Sequence, residues 1–537
     1  MFYASWARTF RGGVTYRVRP SRKSLDTYPL RLLKKHRLPD GSLTSAPSSE
    51  TLKALPLTPE PNAGVESGIS RPFKHIHGFT GVFASDNATV NGFETEPPDQ
   101  GLAVHDSVVA EINNILVQFF QSDGTPLTNP IAASAFFLAE GAFLSDTQAF
   151  FDPKSKRWFF DILVSQGSFN GFGLAVSKTS DPLGEYFIYH LREFSDDIPS
   201  CNCSPDFPKA GYNADAFFIT ANLFIGKVGI YVLPKKKLEA GADFNYIRFL
   251  RVDEFVVQPS VPAPGEPFAT ANNGTEYFLE ALNPTFTIAR PTVRVIAIYN
   301  TEQIISAPGN LQQISIDVLS EPYDFPVEQT QPNVIGPFCA SVGVTSAPKL
   351  DGGVLSFQAT IQKAGGNLYG VLPLGATDGN GLARDVLAWF ILQPMLTSPG
   401  VLTANIVAQG YVVPPNGYSL SYPAFAINKA GVGLIGMSIT NPDPNVAGGF
   451  PSSGFIQFSG FPRGNIMVTG QGATSYDGFT GCVGPEIFIP GRWGDYGAAT
   501  VDAATGFFYI ANEYIPDPTE FPRGHDTNWG TFITQVH

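Results

Sequence analysis

Aspartates stand just before four short apolar runs, and carboxylates or amides stand just after the runs that follow them. The preceding residues are Asp99, Asp146, Asp206 and Asp495. The following residues are Asn113, Asp161, Asn222, Glu280, Asn512 and Glu513. The interval is 14 to 17 residues in the pairs 99–113, 146–161, 206–222 and 495–512. If each interval is a strand, a turn and a returning strand, both ends lie on one edge. The sequence therefore predicts one polar, acidic rim.

Such a rim could bind a metal ion. Carboxylate and amide oxygens suit Ca²⁺, which takes about six to eight oxygen ligands. The candidate ligands are Asp99, Asp146, Asp206 and Asp495. No organic cofactor is expected. The alternative is structural, because an aspartate before a strand commonly caps the backbone of its own turn.

The same rim could carry out acid–base chemistry, because neighbouring carboxylates raise one another's pKa. The candidate catalytic residues are Asp146, Asp495, Arg492, Glu513 and His525. In this hypothesis Arg492 neutralises a uronate or phosphate, and Glu513 or His525 transfers protons. A lone loop histidine is also commonly a solvated side chain, which is the alternative for His525.

Two long connections near the C-terminus carry further candidates. Residues 472–492 with the adjoining Trp493, and residues 515–528, supply Glu486, Arg492, Trp493, Glu520, Arg523, His525 and Asp526. Tryptophan can stack on a sugar, and arginine can form paired hydrogen bonds with an acidic group. The candidate ligand-binding residues are Trp493, Asp161, Asn222, Asn512 and Asp526. Alternatively, Arg492 and Trp493 only pack the last repeat unit.

The four cysteines, Cys201, Cys203, Cys339 and Cys482, all lie in segments leading into one of these apolar runs. Disulfides, either as two pairs or as a Cys201–Cys203 loop with a second pair, would fit an oxidising compartment. Free buried thiols are the alternative. A thiolate metal site would need closer, repeated spacing.

The composition indicates which elements must position these residues. The chain of 537 residues contains 54 Gly and 45 Pro, with 13% aromatic and only 15% charged residues. A disordered chain has the opposite bias, and no apolar run is long enough for a membrane-spanning helix. The abundance of turn-forming and aromatic residues predicts an all-β protein.

A hairpin pattern recurs along the chain from about residue 71. Two apolar runs flank a polar or glycine turn seven times, near His105, Asp152, Tyr212, Asn272, Leu350, Asn428 and Asp502. Two further strand-like runs follow several of the hairpins, for example 228–234 and 245–252. Seven units of four strands predict a seven-bladed β-propeller. Six or eight blades, or two β-sandwiches, are the alternatives.

The last unit has only three strands, ending with Trp529–Val536. The N-terminal run Phe73–Thr80 could supply the fourth strand and close the ring. Closure would remove the open edges of the sheets.

Several motifs resemble those of secreted, sialidase-like seven-bladed propeller proteins, over roughly residues 95–537. They are Phe151-Asp-Pro-Lys-Ser-Lys-Arg-Trp158, Leu174-Ala-Val-Ser-Lys-Thr-Ser-Asp-Pro-Leu183, Asp206-Phe-Pro-Lys209, Arg492-Trp-Gly-Asp-Tyr496 and Asn512-Glu-Tyr514 with Trp529-Gly530. The resemblance implies the fold and secretion but no particular reaction. The Asp-box turns and arginine triad of true sialidases are absent from the sequence, so sialidase activity does not follow.

The N-terminal residues differ in composition from the rest. Residues 1–39 contain ten Lys or Arg and one acid, Asp26, and residues 41–70 are rich in Ser, Pro, Ala and Thr. We expect residues 1–70 to be a disordered leader and linker, and residues 71–537 to be the propeller domain. The leader also has the composition of an organelle transit peptide, and it lacks the apolar core of a secretory signal. The fold and composition nevertheless favour an extracellular or cell-surface protein.

Charge limits the choice of partners. Without residues 1–39, the chain has 24 basic and 46 acidic residues, a net charge of −22. Such a body repels nucleic acid. Our first hypothesis is a monomeric extracellular propeller that binds a glycan or a protein through the acidic rim. The second is a Ca²⁺-dependent hydrolase or lyase that degrades a polysaccharide at the same rim. A purely structural surface protein is the third.

Overall fold

The computed structural model describes residues 8–11, 14–18, 61–67, 76–193, 205–223, 227–252, 254–282, 291–398, 400–483 and 490–537. In this part of the chain the fold is mostly β and is built from mainly antiparallel sheets, many of them four-stranded. The all-β prediction is therefore confirmed at this level. No helix among the described residues has the length and apolar character needed to cross a membrane.

Four strands and one helix precede the repeating part. They are β1 (Arg8–Arg11), β2 (Val14–Val18), β3 (Val65–Ser67), β4 (Ile76–Phe83) and α1 (Ala84–Asn91).

The next twelve strands form three consecutive antiparallel sets of four. Set 1 is β5 (Gly101–His105), β6 (Val108–Ile112), β7 (Leu116–Gln121) and β8 (Ile131–Ala132), followed by α2 (Ala133–Phe136). Set 2 is β9 (Phe143–Asp152), β10 (Arg157–Gln166), β11 (Phe169–Ser177) and β12 (Tyr186–Arg192). Set 3 is β13 (Asp206–Tyr212), β14 (Ala216–Asn222), β15 (Lys227–Pro234) and β16 (Phe244–Val252), with α3 (Lys235–Glu239) between the last two strands.

The remaining strands continue the same order. Set 4 is β17 (Gln258–Pro262), β18 (Thr275–Ala281), β19 (Thr292–Tyr299) and β20 (Gln312–Leu319), with 3₁₀ turns at Thr301–Gln303 and Pro308–Asn310. After α4 (Pro337–Ser341), set 5 is β21 (Ile361–Ala364), β22 (Asn367–Thr377), β23 (Ala383–Ser398) and β24 (Val401–Val412). Set 6 is β25 (Ser419–Ile427), β26 (Val432–Thr440), β27 (Ser452–Ser459) and β28 (Pro462–Gly470). After α5 (Phe479–Cys482), set 7 is β29 (Ala498–Val501), β30 (Phe508–Tyr514) and β31 (Gly530–Val536), with β4 beside β31.

The first strands of the sets form a cycle of contacts. Strand β5 contacts β9, β9 contacts β13, and so on through β17, β21, β25 and β29, and β29 contacts β5. Sets 4 and 5 form one nine-stranded sheet together with β1, because β17 and β21 pair in parallel with Ser260 opposite Ile361. Apolar side chains between neighbouring sheets form the core, for example Phe218 of β14 against Phe278 of β18.

The N-terminal strands pair with the last strands of four sets. Strand β1 is antiparallel to β20, β2 is antiparallel to β16, and β3 is parallel to β28. Strand β4 is antiparallel to β31, with Ile76 opposite Val536. Of the run 73–80 that the sequence singles out, residues 76–80 lie in β4, and residues 73–75 lie outside the described residues. The division of the chain at residue 70 stays a prediction.

Six of the seven predicted hairpins are present, and the one near Leu350 is wrong. Leu350 instead forms isolated bridges with Gln329 and Gly491. The hairpin of set 5 lies between β21 and β22 and turns at Gly365 and Gly366, whose φ angles are +57° and +80°. Two consecutive positive φ angles permit a tight turn, and glycine adopts them without a steric penalty.

The prediction also missed α1, an eight-residue helix, because its sequence lacks an apolar face. Its first turn is held by the carboxylate of Asp86, which accepts a hydrogen bond from the Phe83 N–H at 3.2 Å. The helix stops at Gly92, where φ is +73°.

Candidate functional site

Four aspartates lie where the first strands of four sets begin. Asp99 precedes β5, Asp146 lies near the start of β9, Asp206 is the first residue of β13, and Asp495 precedes β29. One carboxylate oxygen each from Asp99, Asp146 and Asp495 lies within 4.8 Å of the other two. Asp206 interacts electrostatically with Asp146 and Asp495. We call these four residues the acidic cluster.

The backbone at this cluster has an unusual conformation. Asp99 and Asp146 have φ angles of +40° and +51°, a region that aspartate tolerates better than most residues. The side chain of Asn114 connects them: its Nδ2 donates to Asp99 Oδ2 at 2.8 Å, and its Oδ1 accepts from the Asp146 N–H at 2.6 Å. These bonds fix the spacing of the two carboxylates.

Asp146 also has a structural role. Its Oδ2 accepts from the Phe207 N–H at 2.9 Å, and its Oδ1 accepts from Ser145 Oγ at 2.5 Å. The first bond joins the start of set 2 to the start of set 3. For Asp146, the capping alternative and a functional role can both hold, since each oxygen retains a further lone pair.

Burial determines the protonation of the other three cluster aspartates. It raises the pKa of Asp206 to about 7, with further increases from Asp146 and Asp495. It raises the pKa of Asp495 to about 6, although Arg492 opposes the increase. The pKa of Asp99, which is 1% exposed, rises well above its usual value for the same reason, and Asp495 and Asp146 add to the rise.

Arg492 is the cation on the solvent side of the cluster. Its Nη2 donates to Asp495 Oδ2 at 2.5 Å, and its Nε lies 4.0 Å from Asp351 Oδ2. The side chain of Arg492 is 28% exposed and that of Asp495 is 16% exposed, so a ligand can reach both.

Lys209 is a second cation, on the buried side, and the sequence reasoning assigned it no role. Its Nζ lies 3.9 Å from the ring centroid of Phe207 and 3.5 Å from that of Tyr496, and it has no hydrogen-bond partner. Burial lowers its pKa to about 7, while Asp146 and Asp495 act in the opposite direction. The sequence feature that could have indicated Lys209 is its position as the last residue of the motif Asp206-Phe-Pro-Lys209, at the start of a strand.

Two of the predicted second-strand carboxylates adjoin the cluster. Glu513 is 3% exposed, neither carboxylate oxygen has a hydrogen-bond partner, and burial with Asp99 nearby raises its pKa well above the usual value. Asp161 is fully buried with both oxygens unpaired, and its strongest favourable electrostatic neighbour is Lys209. Asn512 donates from Nδ2 to the Tyr422 carbonyl at 2.9 Å, and its Oδ1 is unpaired.

Other predicted rim residues have different partners. Asn222 Oδ1 accepts from the Val256 N–H at 2.9 Å, which caps the start of set 4. Glu280 accepts from the Phe255 N–H at 3.1 Å, and its second oxygen lies 3.7 Å from Arg294. Asn113 Oδ1 accepts from the backbone of its own turn. Like Asp146, these residues cap backbone, but their neighbours are not those of the acidic cluster.

In the two long C-terminal connections, the described candidate residues contact neighbouring loop residues. The side chain of His525 is 91% exposed and contacts Asp526, while Glu94 accepts from the backbone N–H groups of both residues. This arrangement corresponds to the solvated alternative for His525. Glu520 donates its N–H to the Asp517 carbonyl at 3.1 Å. Arg523 pairs with the buried carboxylate of Asp477, and Glu486 lies outside the described residues.

Trp493 differs from its prediction as a stacking platform. Its ring is fully buried beside Leu350, Tyr422, Tyr476 and Ile515, so neither face is available to a ligand. The packing alternative for Trp493 is therefore the one that the structure favours. Its ring meets that of Tyr476 edge to face, with 6.1 Å between the ring centroids.

Cys339 and Cys482 form a disulfide between α4 and α5. This agrees with the disulfide alternative for this pair, and it removes the thiolates that a metal would need. Asp477 lies beside the bridge and accepts from the Phe338 and Cys339 N–H groups at 3.0 and 2.7 Å. Cys201 and Cys203 lie outside the described residues.

Comparisons with known proteins do not assign an activity. No family model and no curated protein matches the chain. The polysaccharide lyase Uly1 is 9% identical with a TM-score of 0.34, over 88% of this chain and 96% of that chain. The α-L-arabinanase of Penicillium chrysogenum, complexed with arabinobiose, is 10% identical with a TM-score of 0.33, over 72% of this chain and 92% of that chain. A prolyl endopeptidase is 11% identical with a TM-score of 0.33, over 77% of this chain, but only 45% of that chain is covered.

Proposed function

We propose that this protein is an extracellular seven-bladed β-propeller that binds a carbohydrate at the acidic cluster. Sets 1 to 7 are the blades, and β4 completes the last one. The cycle of contacts among the first strands supports this ring, and so does the pairing of β4 with β31. The disulfide between Cys339 and Cys482 supports an oxidising compartment.

One observation carries the binding proposal: three aspartates place carboxylate oxygens within 4.8 Å of one another, beside a partly exposed arginine. A sugar hydroxyl both donates and accepts hydrogen bonds. Asp495 and Asp351 provide acceptors at the solvent side, and Arg492 provides donors. This mixture fits a polyhydroxylated ligand better than an anionic one. A protein ligand is the alternative, since the chain without residues 1–39 has a net charge of −22 and would attract a basic partner.

Ca²⁺ is the metal that this donor set would take. Asp99, Asp146 and Asp495, with Asp206 beside them, offer hard oxygen atoms, and Asp99 Oδ1 is buried without a hydrogen-bond partner. A bound cation would offset the mutual repulsion of these carboxylates and would attract ligand hydroxyl oxygens. No organic cofactor is part of the proposal.

The second candidate is a Ca²⁺-dependent hydrolase or lyase that degrades a polysaccharide. The observation that favours it is the raised pKa of buried Glu513, whose two carboxylate oxygens have no hydrogen-bond partner and lie near Asp99 and Asp495. Glu513 is not one of the proposed Ca²⁺ ligands, so it could donate a proton while the cluster aspartates, ionised, hold the metal ion. Asp495, held by Arg492, could accept a proton.

The deciding experiment combines binding and cleavage. After EDTA treatment, the thermal midpoint is followed during a Ca²⁺ titration, and neutral and uronate-containing polysaccharides are then tested for binding and for new reducing or unsaturated ends. We expect a saturable Ca²⁺-dependent rise that disappears in Asp99→Asn/Asp495→Asn and persists in the exposed-loop control Asp123→Asn. Binding without cleavage supports the first candidate, and cleavage supports the second. Polysaccharide binding that is unchanged in the double variant would overturn both.

A further inference from the structure

The disulfide between Cys339 and Cys482 joins the two parts of the chain that hold the solvent side of the candidate site. Cys339 lies in α4, and the chain after α4 continues to Asp351. Cys482 lies in α5, which contacts the backbone of Arg492. Since Arg492 lies between Asp351 and Asp495, the bridge connects the supports of the residues that a ligand would meet first.

The backbone beside Arg492 is held from both of these parts. The Gly491 N–H donates to the Lys349 carbonyl at 2.8 Å, and the Gly491 carbonyl accepts from the Asp351 N–H at 2.9 Å. The Arg492 N–H donates to Thr480 Oγ1 of α5 at 2.9 Å. The position of Arg492 therefore depends on the chain after α4 and on α5 together.

Thr480 transmits the position of α5 to Arg492. Its hydroxyl donates to Glu96 Oε2 at 2.8 Å, and its N–H donates to the same oxygen at 3.0 Å. Tyr476 Oη also donates to Glu96 Oε2, at 2.7 Å. Because the same Thr480 oxygen accepts from Arg492, a displacement of α5 would displace the arginine backbone.

The two short helices depend on the bridge for their relative position. Helix α4 has five residues and α5 has four, and helices so short have little stability of their own. Val342 and Val483, which follow them, are 46% and 56% exposed, so these side chains add little packing. Asp477 holds the start of α4 through two hydrogen bonds. Opening the disulfide would leave this hydrogen-bonded contact without its covalent tie.

We propose that the Cys339–Cys482 disulfide is a redox switch for the candidate site: when it is closed, Arg492 and Asp495 are held for ligand binding, and when it is reduced they are released. The inference rests on the proposed function, because it concerns the regulation of the same site. It implies that the site is completed only after the chain reaches an oxidising compartment. In a reducing compartment the other three cluster aspartates would keep their places, but the arginine would not be fixed.

The reductant for this switch is a dithiol. Cys482 is partly exposed, whereas Cys339 is 1% exposed, so attack occurs at the Cys482 sulfur. A thiolate of the dithiol bonds to that sulfur, the disulfide breaks, and Cys339 leaves as a thiolate that takes up a proton. The second thiolate of the dithiol then displaces Cys482, which is protonated in turn. Two electrons and two protons pass to the cysteines, and the dithiol becomes a disulfide.

The first test follows amide hydrogen exchange by mass spectrometry, which needs no ligand. It uses the whole protein with Cys201→Ser/Cys203→Ser, so that dithiothreitol can reduce only the bridge. Exchange of the Asp351, Gly491 and Arg492 amides should become at least about tenfold faster on reduction, because each donates to an acceptor that the bridge helps to position. Amides of β14 and β15 should be unaffected. No change at the three amides, or an equal change throughout the chain, would overturn the proposal.

The second test measures Ca²⁺ affinity by calorimetry in Cys339→Ser/Cys482→Ser, without reductant. Affinity should fall at least about fivefold relative to the parent protein, because Asp495 loses the fixed position of Arg492 beside it. Equal affinity in the two proteins would overturn the proposal. If the parent protein itself binds no Ca²⁺, the proposed metal site fails, and the exchange experiment still decides whether the bridge controls the arginine.

Tyr323→Phe is the control for a general loss of stability. The Tyr323 hydroxyl donates to the Thr292 carbonyl at 2.6 Å and to the Leu282 carbonyl at 3.1 Å, both in set 4. Removing these buried bonds should destabilise the protein but leave Ca²⁺ affinity and the exchange of the Arg492 amide unchanged. If Tyr323→Phe weakens Ca²⁺ binding as much as loss of the bridge does, the effect is one of stability and the switch is wrong.

Discussion

The ammonium group of Lys209 lies 3.5 Å from the ring centroid of Tyr496, with no hydrogen-bond partner of its own. The ring can stabilise a cation through its electrons, but burial opposes the charge and lowers the lysine pKa to about 7. Tyr496 in turn accepts from the Thr147 N–H at 2.7 Å, which connects set 7 to set 2. Tyr496 therefore contacts both the amine of Lys209 and the backbone of set 2, so a change in the charge of Lys209 should affect the packing of set 7 against set 2.

Replacing Lys209 by methionine should change how stability depends on pH. In the folded protein the lysine loses its proton near pH 7, whereas in the unfolded chain it keeps it to about pH 10.5. Between these values the unfolded state binds more protons, so this residue makes stability rise with pH, by at most about 1.4 kcal/mol per pH unit. Urea unfolding at pH 7 and pH 9 should show a smaller rise in Lys209→Met. An equal rise in both proteins would mean that the amine is charged when folded.

Asp206 should act in the opposite direction. Its pKa is about 7 when folded and 3.8 in the reference state, so the folded protein binds more protons between those values. Its contribution to stability is present below about pH 4 and is lost as pH rises to 7. Asp206→Asn should reduce the loss of stability between pH 5 and pH 7 by about 1–2 kcal/mol, since partial exposure screens the effect. Asp517→Asn, in an exposed turn, is the matched control and should behave as the parent protein does.

Asn114→Ala should loosen the acidic cluster without removing a charge. The variant loses the bonds to Asp99 and to the Asp146 N–H, and also the 2.7 Å bond to the Pro97 carbonyl. Leaving these buried groups unpaired should cost about 2–4 kcal/mol in urea unfolding. Ca²⁺ affinity should fall as well, since the carboxylates lose their fixed spacing. Asn445→Ala, in an exposed loop, is the control, and comparable losses in both variants would remove the special role of Asn114.

Breaking the Cys339–Cys482 bridge should destabilise the protein. The cysteines are 143 residues apart, and closing so long a loop restricts the unfolded chain strongly. We expect Cys339→Ala/Cys482→Ala to cost about 3–5 kcal/mol and reductant to lower the thermal midpoint of the parent protein. In Cys201→Ala/Cys203→Ala, reductant should still lower the thermal midpoint, because the Cys339–Cys482 bridge is still present. If the first variant unfolds like the parent, the bridge adds no stability.

Much of the architecture could be predicted from local patterns. Turn residues between apolar runs located six hairpins, because Asn, Asp, Gly and Pro favour turns through their own local conformation and hydrogen bonds. The hairpin of set 5 was missed because Leu350 to Ala359 has the apolar character of a strand pair, yet the pairing goes to Gln329 and Gly491. Such long-range competition is not visible in a short window of sequence.

The sequence predicted which aspartates lie together in the acidic cluster, but not the burial of the residues around it. Asp99, Asp146 and Asp495 lie close together because each stands at the start of the first strand of its set. The burial of Trp493 and the exposure of His525 depend on the path of long connections, which composition does not determine. The burial of Lys209 was not predicted, because lysine side chains are usually exposed to solvent. Its burial depends on packing between sets that are distant in the sequence.

The parallel pairing of β17 with β21 should limit the transient separation of sets 4 and 5. Here the first strands of two neighbouring sets share backbone hydrogen bonds, with Ser260 opposite Ile361. Separating sets 4 and 5 would break these bonds as well as side-chain packing, so this seam should resist transient opening. Amide hydrogens on both sides of it should exchange with solvent as one cooperative unit. The ring should open first at another seam, where only side chains hold adjacent sheets together.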